Sequence, residues 1–341
     1  PKIRRNLKDN ITLNGIYQHN LNNVNALFPL NGLVLITGMS GSGKSTLVRD
    51  VLKPALNNYF GNFSKASKNY DNLSINTTNL KKLEFIDQNP IGKSSRSNPA
   101  TYLKVYDDIR KLFARQPLAE SRKYKIGFFS FNVDGGRCEH CKGEGETTVE
   151  MQFMADVHLK CEHCKGKRFK KEILEIKFAN KNIADILELS VEEAISFFKI
   201  NEEVTIAKKL QPLFEVGLSY VKLGQSSNTL SGGEAQRIKL ASFISKGNTT
   251  DKTLFIFDEP TTGLHFHDIN KLLNSFYALI EKGHSIICIE HNMDVIKCAD
   301  WIIDLGPEGG DNGGKIVFEG TPEDIIKCKK SITGEFLKKK F

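Results

Sequence analysis

The chain has 341 residues, a net charge of +8 and an apolar fraction of 40%, a composition typical of a globular protein of two or three domains. No apolar run reaches the roughly 20 residues needed to cross a bilayer, and there is no secretory signal pattern at the start, so we expect a cytoplasmic protein without a membrane partner. The pI of 9.0 is compatible with a polyanionic partner such as nucleic acid.

The first fifty residues predict a small side sheet and a phosphate-binding loop. Residues 11–13 and 24–30 have β-like patterns, and the apolar run 33–36 precedes a glycine-rich loop and a helical pattern. The glycines of such a loop let backbone N–H groups converge on phosphate oxygens, Lys44 can reach the β- and γ-phosphates, and the Ser45 hydroxyl can ligate Mg²⁺. The predicted nucleotide-binding residues of the loop are Gly38, Ser40, Gly41, Ser42, Gly43, Lys44, Ser45 and Thr46.

A further strand pattern at residues 83–87 leads to Gln88. The polar stretch 57–79 before it is predicted to be an exposed connection with little regular structure. A glutamine at the carboxyl end of a strand can coordinate Mg²⁺ and an attacking water. On the local sequence alone an ordinary surface glutamine is the simpler interpretation, and only the downstream motifs favour the catalytic one.

Two of those motifs lie between residues 230 and 260. Ser231, Gly232 and Gly233 stand before the helical pattern 235–244, where exposed N–H groups and the positive end of the helix dipole can bind an anion. About twenty residues later an apolar strand ends in two carboxylates. Asp258 suits a Mg²⁺ contact through water, and Glu259 suits polarisation of a hydrolytic water.

His291 completes the series. It follows the apolar strand pattern 285–290. A single histidine is most often structural, but this one stands where strand ends gather over a nucleotide at the carboxyl edge of a parallel sheet. We therefore include His291 among the predicted catalytic residues.

In this order the motifs resemble those of the ATP-binding cassette ATPases. The resemblance implies an ATP and Mg²⁺ site and hydrolysis of ATP to ADP and phosphate, with Lys44, Gln88, Glu259 and His291 as catalytic residues and with Ser45, Gln88 and Asp258 near the Mg²⁺. It also implies that Ser231, Gly232 and Gly233 complete the site of an opposed cassette. A single cassette of this kind is expected to be a weak ATPase.

About 140 residues separate Gln88 from Ser231, more than a compact helical subdomain needs. This insertion contains two C-x-x-C pairs about twenty residues apart, a spacing that suits one tetrahedral structural Zn²⁺ better than disulfides or a catalytic metal. His140 and His163 lie between the cysteines and are interpreted as residues that do not bind the zinc. The predicted zinc ligands are Cys138, Cys141, Cys161 and Cys164.

Longer stretches extend the resemblance. Residues 86–92, 96–102, 129–139, 223–237, 258–265, 304–310 and 319–323 closely resemble the second half of the UvrA family, the damage-sensing ATPases of bacterial nucleotide-excision repair. A full-length member would carry another cassette, a second zinc-bearing signature domain and a domain that binds the UvrB helicase. The resemblance therefore implies three partners: double-stranded DNA, especially damaged DNA, a second cassette from a homodimer or an N-terminal half, and UvrB through domains beyond this sequence.

Basic residues crowd the insertion ahead of the cysteines, interleaved with Tyr102, Tyr106, Phe113 and Tyr124. Such cations can neutralise phosphates without reading bases, which suits a protein that responds to distorted duplex. A solvated helix face is the alternative for each residue, because Tyr106 to Phe113 has helical spacing and its own acids. The predicted DNA-binding residues are Lys93, Arg96, Lys104, Arg110, Arg115 and Lys123.

The predicted fold class is α/β: a cassette core with an antiparallel side sheet, interrupted by a helical signature domain that carries the zinc module. We expect the core at residues 1–88 and 226–341 and the insertion at 89–225, with zinc at about 131–170 and helices at 182–198 and 206–218 that include a capping box at Ser190. The alternatives are a UvrA paralogue serving drug self-protection, a transporter's nucleotide-binding subunit, a non-enzymatic DNA-binding or docking fragment, and a chaperone with DnaJ-type zinc repeats.

Overall fold

The computed structural model describes residues 4–61, 68–77, 79–92, 94–149, 151, 157–246 and 251–341, so Lys93 lies outside the described residues. They form two compact units, one of Pro1–Gln88 with Lys246–Phe341 and the other of Asn89–Ser245. None of the described helices is both long enough and apolar enough to cross a membrane.

Most strands belong to the first unit, and β6 to β9 belong to the second. In chain order the strands are β1 (Asn10–Gln18), β2 (Leu21–Pro29), β3 (Leu33–Gly38), β4 (Asn72–Asn76), β5 (Leu80–Ile86), β6 (Glu146–Val149), β7 (Val157–Lys160), β8 (Lys177–Phe178), β9 (Lys181–Asn182), β10 (Lys252–Asp258), β11 (Ser285–Ile289), β12 (Trp301–Gly306) and β13 (Lys315–Gly320).

A π-helical segment, Thr46–Leu52, continues directly into the first α-helix, and single 3₁₀ turns occur at Ile126–Phe129, Ser227–Thr229 and Gly310–Asn312. The α-helices are α1 (Lys53–Tyr59), α2 (Pro99–Tyr102), α3 (Val105–Ala114), α4 (Pro117–Ser121), α5 (Lys171–Leu174), α6 (Ile183–Glu188), α7 (Val191–Ile200), α8 (Val204–Glu215), α9 (Gly232–Ser245), α10 (Phe266–Glu281), α11 (Met293–Ile296), α12 (Pro322–Ile325) and α13 (Ile332–Lys338).

The first unit is built on a six-stranded mixed sheet of order β13-β12-β3-β11-β10-β5, beside a three-stranded antiparallel sheet of order β2-β1-β4. All neighbours in the larger sheet are parallel except β12 and β13. The predicted α/β class with an antiparallel side sheet is confirmed. Every residue of β11 is buried, as expected for a central parallel strand covered on both faces.

The parallel register determines where the candidate site lies. Strands β3, β5, β10 and β11 run in the same direction, so the residues that follow them emerge at one edge of the sheet. Those residues include the phosphate loop, Gln88, Glu259 and His291.

Two predictions about local structure were wrong. The stretch 57–79 was expected to lack regular structure, but β4 forms within it and pairs with the free edge of β1, with Ile75 opposite Ile11. The helical pattern 182–198 is two helices, because the chain is extended at Leu189 and Ser190 before α7 begins. The predicted capping box is present there: Glu193 N donates to Ser190 Oγ at 3.2 Å and Ser190 N donates to Glu193 Oε2 at 2.8 Å.

Candidate nucleotide and metal sites

The phosphate loop follows β3 and depends on glycines with positive φ. Gly38 has φ +128° and Gly43 has φ +102°, and a Cβ added to Gly38 would stand 2.1 Å from the carbonyl oxygen of Leu305. Only glycine fits at that position. The loop thereby keeps backbone N–H groups close together at the start of a helical segment, which is the arrangement that binds phosphate oxygens.

The carbonyl oxygens of the phosphate loop accept hydrogen bonds that the sequence did not indicate. Asn20 Nδ2 donates to the carbonyl oxygens of Gly41 and Gly310, each at 3.0 Å. Gly310 N also donates to Gly41 O at 3.1 Å, and Gly314 N donates to Ser42 O at 3.1 Å. Because these contacts occupy the loop's carbonyls, they fix its peptide planes without using its N–H groups.

Lys44 is 6% exposed, and its Nζ donates to the carbonyl oxygens of Gly38 at 3.0 Å and Met39 at 2.6 Å. Burial lowers the pKa of Lys44, and the charges of Glu259, Asp304 and Asp258 oppose that change. Ser42 Oγ is fully buried in the same loop and has no hydrogen-bond partner within the described part of the chain. A phosphate fits this cradle because it supplies acceptors for the Lys44 ammonium and the Ser42 hydroxyl.

Glu259 and His291 meet at the ends of β10 and β11. His291 Nε2 lies 3.3 Å from Glu259 Oε1. Glu259 adopts φ +48°, uncommon for a residue with a side chain, and its N donates to Ile289 O at 3.0 Å. Burial and the charge of Lys44 lower the pKa of His291, whereas Glu259 acts in the opposite direction. The imidazole is therefore neutral near pH 7 and can donate one hydrogen bond to the carboxylate.

Gln88 and Asp258 lie at the same edge. Gln88 Nε2 approaches the backbone oxygen of Asp258 at 3.4 Å. The Asp258 carboxylate forms an ion pair with Arg49, a residue that the sequence had not singled out. Ser45 is exposed at the start of the helical segment. Oxygen atoms from Ser45, Gln88 and Asp258 are the ligand type that Mg²⁺ prefers.

The structure thus brings the loop residues, Gln88, Asp258, Glu259 and His291 together at one sheet edge of the first unit. The signature residues belong to the second unit, at the start of α9. There, Glu234 N donates to Ser231 Oγ at 3.2 Å, and Ser231 N donates to Glu234 Oε2 at 2.8 Å. This reciprocal cap leaves Ser231 exposed and sets the start of the helix.

The four paired cysteines converge in the second unit. All four Sγ atoms lie within 4.8 Å of one another, and those of Cys141 and Cys164 are 3.6 Å apart. Four sulfurs around one zinc at ~2.3 Å would be separated by roughly 3.8 Å, so the cluster fits a Cys₄ zinc site. All four residues are buried, while His140 and His163 are exposed, with their rings tilted by 39° and their centroids 4.2 Å apart.

The four thiols differ in electrostatic environment: burial acts to raise the pKa of Cys161, but hydrogen bonds from the backbone of Cys164 and His163 outweigh it and lower that pKa. Burial raises the pKa of Cys164 to about 12 and raises that of Cys141 above its ordinary value. Backbone groups tie the pairs together: Cys161 N donates to Gly145 O at 2.9 Å, and Gly145 N donates to Cys141 Sγ at 3.3 Å. Protons and a metal ion therefore compete for these sulfurs.

The predicted DNA-binding cations have two kinds of environment. Arg96 pairs with Glu144 at 3.3 Å and Arg110 pairs with Asp107, and both side chains are mostly covered. Arg115 is 66% exposed, and Lys104 and Lys123 are exposed at positive φ. Tyr106 and Phe113, which alternate with these cations in the sequence, are core residues on the buried face of α3.

No protein-family model matches the sequence. The chain is 52% identical over 340 residues to UvrABC system protein A of Clostridium perfringens, which covers 99% of this chain and 36% of that protein. It is 53% identical over 340 residues to the same protein of Thermus thermophilus, covering 99% and 35%. The chain spans about a third of the length of these relatives.

The fold is also similar to that of a solved structure. The crystal structure of UvrA2 from Deinococcus radiodurans superimposes with a TM-score of 0.90 at 43% sequence identity, over 98% of this chain and 40% of that one. Similarity at this level over 98% of the chain supports the α/β architecture described above.

Proposed function

We propose that this chain, which is homologous over nearly its whole length to part of UvrABC system protein A, is an ATP-hydrolysing, DNA-binding module of a UvrA-type excision-repair protein. The observation that supports the ATPase most directly is the Glu259–His291 contact of 3.3 Å at the same sheet edge as the phosphate loop. A transporter's nucleotide-binding subunit has no use for the four-cysteine cluster, which favours the repair protein.

The proposed reaction is in-line attack of water on the γ-phosphate. The loop N–H groups and Lys44 bind the phosphates, and Glu259 orients the attacking water and accepts its proton. Neutral His291 donates to Glu259 and keeps its carboxylate in place. Ser45, Gln88 and Asp258 would hold Mg²⁺, which when bound neutralises charge that develops on the phosphates.

The site is proposed to be composite. Ser231, Gly232 and Gly233 would contact the γ-phosphate bound to a second cassette, supplied by another copy or by an N-terminal half. The isolated chain is therefore a weak ATPase, and its specific activity rises with protein concentration if two copies supply the two halves.

The insertion is proposed to bind double-stranded DNA, with preference for damaged duplex. One structural Zn²⁺ on the four cysteines would fix the fold of the module without taking part in hydrolysis. UvrB is proposed as a partner of the full-length protein. ATP binding and hydrolysis would change how strongly the insertion holds DNA.

The test is binding of lesion-bearing and undamaged duplex, with and without ATP, by the chain and by Lys44→Ala, alongside ATPase assays. Lys330→Ala removes an exposed lysine in the same unit and is the matched control. We expect nucleotide to change DNA affinity for the wild type and the control but not for Lys44→Ala. Absence of DNA binding under every condition would overturn the repair function.

A further inference from the structure

Glu290 is a buried carboxylate at the end of β11, directly before His291, and it is only 2% exposed. Its two oxygens accept hydrogen bonds from two different segments. Oε1 accepts from Thr261 N at 3.1 Å and from Thr261 Oγ1 at 2.8 Å. Oε2 accepts from His291 N at 3.0 Å and from Asn292 N at 3.3 Å.

Each of those segments carries one member of the candidate catalytic pair. Thr261 lies two residues after Glu259, in a turn closed by a bond of 3.2 Å from Thr262 N to Glu259 O. The second segment begins with His291 itself. The two backbone segments that carry Glu259 and His291 are therefore joined through the carboxylate of Glu290.

The four groups around Glu290 leave little choice of side chain. Three are backbone N–H groups, which can only donate, so both carboxylate oxygens must act as acceptors. Burial raises the pKa of Glu290 above its ordinary value, and the hydrogen bonds from Thr261, Asn292 and His291 oppose that rise. An amide of the same shape would turn an NH₂ group against donors on one side or the other.

The turn that contains Glu259 also has a strained backbone, which hydrogen bonds to neighbouring residues must stabilise. Glu259 has φ +48°, a conformation that is unfavourable for a residue with a side chain and persists only where neighbouring contacts fix it. The bond from Glu259 N to Ile289 O and the two bonds from Thr261 to Glu290 all attach this turn to the end of β11.

From this arrangement we infer that Glu290 is a positioning residue, which sets the separation and orientation of Glu259 and His291 by joining the turn after β10 to the segment after β11. The inference rests on the proposed ATPase function, because it assigns these two side chains to one reaction. Glu290 itself is buried, so it acts through the two segments that it joins.

The test compares Glu290→Gln, Thr261→Val and Thr261→Ser in the whole chain, assayed in the presence of a second cassette if turnover requires one. We expect Glu290→Gln to lower kcat by about 10- to 100-fold with little change in the KM for ATP. Thr261→Val removes one donor and should lower kcat less, and Thr261→Ser, which keeps the hydroxyl, should resemble the wild type.

Glu319→Gln is the control, since Glu319 is a half-buried carboxylate of the first unit that also accepts a backbone hydrogen bond, from Leu27 N at 3.0 Å. It should change thermal stability without changing kcat. A kcat for Glu290→Gln equal to that of an active wild type would overturn the inference and leave the proposed function intact. Absence of turnover by the wild type with any cassette would instead overturn the proposed function.

A second measurement does not require turnover. Glu259 raises the pKa of His291, so separating the two side chains should lower it. Thr261→Val keeps the charge of Glu290, and we expect the imidazole of His291 in this variant to titrate at a lower pH than in the wild type by NMR. An unchanged titration in Thr261→Val and in Glu290→Gln would overturn the inference even if the variants proved too unstable for kinetics.

Discussion

Arg49 and Asp258 form an ion pair between the helical segment that follows the phosphate loop and the end of β10. The Arg49 side chain is 51% exposed, whereas that of Asp258 is 15% exposed. Asp258 is also the carboxylate that we assign to Mg²⁺. A guanidinium and a divalent cation would therefore compete for the same oxygen atoms.

That competition predicts the effect of Arg49→Gln. A surface ion pair contributes about 0.2–1 kcal/mol, so the half-saturating Mg²⁺ concentration of the ATPase should fall by roughly 1.4- to 5-fold when the pair is removed. The measurement is a Mg²⁺ titration of hydrolysis at fixed ATP. Lys327→Gln, which breaks an exposed pair with Asp324 elsewhere in the unit, should leave the titration unchanged. If the half-saturating Mg²⁺ concentration changes less in Arg49→Gln than in Lys327→Gln, the prediction is contradicted.

The protonation of His291 gives a second prediction. Burial and Lys44 lower its pKa, so its ring should titrate below the ordinary value of 6.5. Glu259→Gln removes a charge that favours the imidazolium and should lower the pKa further, whereas Lys44→Met should raise it. NMR of the ring, whose signals are identified by their loss in His291→Gln, measures the pKa of His291 in the wild type and in both variants. Equal pKa shifts in the same direction in Glu259→Gln and Lys44→Met would contradict the prediction.

The same pKa determines how His291 affects stability. The unfolded chain takes up a proton at about pH 6.5, before the folded chain does, so the stability that depends on neutral His291 is complete above that pH. It should decrease as the pH falls from 6.5 toward the lower pKa of the folded state. His291→Gln should remove this part of the pH dependence in denaturant unfolding experiments.

The edge of the sheet could be predicted because Gly38, Asp258 and His291 each follow an apolar run, and parallel strands bring such ends together. The contacts made by Asn20 and Glu290 could not be predicted from the sequence. Asn20 acts on Gly310, 290 residues away, and Glu290 had the appearance of the last residue of a buried strand. Strand β4 was missed because Leu73 and Ile75 are its only apolar residues, and its pairing with β1 depends on tertiary contact.

The cysteine cluster predicts one zinc per chain and a specific loss on substitution. Cys164→Ser should reduce the bound zinc well below one equivalent and destabilise the second unit, since metal binding of this type contributes about 10 kcal/mol or more to folding. Cys298→Ser, which changes a thiol of the first unit outside the cluster, is the control and should keep its zinc. Elemental analysis and thermal unfolding measure both effects.

Acid should release the metal as well. Because burial raises the pKa of Cys164 to about 12 and also that of Cys141, their protons compete strongly with the ion. Zinc affinity is therefore expected to fall steeply as the pH is lowered. Full zinc content in Cys164→Ser, or a wild type with far less than one zinc, would contradict the four-cysteine site.

The cations of the insertion should divide into two classes when DNA binding is measured against salt. Lys104 and Lys123 are exposed and have no ion pair recorded among the described residues, so each can neutralise a phosphate at little cost. Lys123→Ala should weaken binding of any duplex and reduce the slope of log K against log salt by about 0.9, the value for one phosphate contact. Lys123→Arg keeps the charge and should keep the slope.

Arg96 should behave differently from Lys123. Its guanidinium is only 25% exposed and pairs with Glu144, three residues after the second cysteine of the first pair. Arg96→Ala should therefore lower the thermal stability of the second unit while changing the salt slope less than Lys123→Ala does. If the salt slope falls by a full contact in Arg96→Ala but not in Lys123→Ala, then Arg96 exchanges Glu144 for a phosphate, and the division by exposure is wrong.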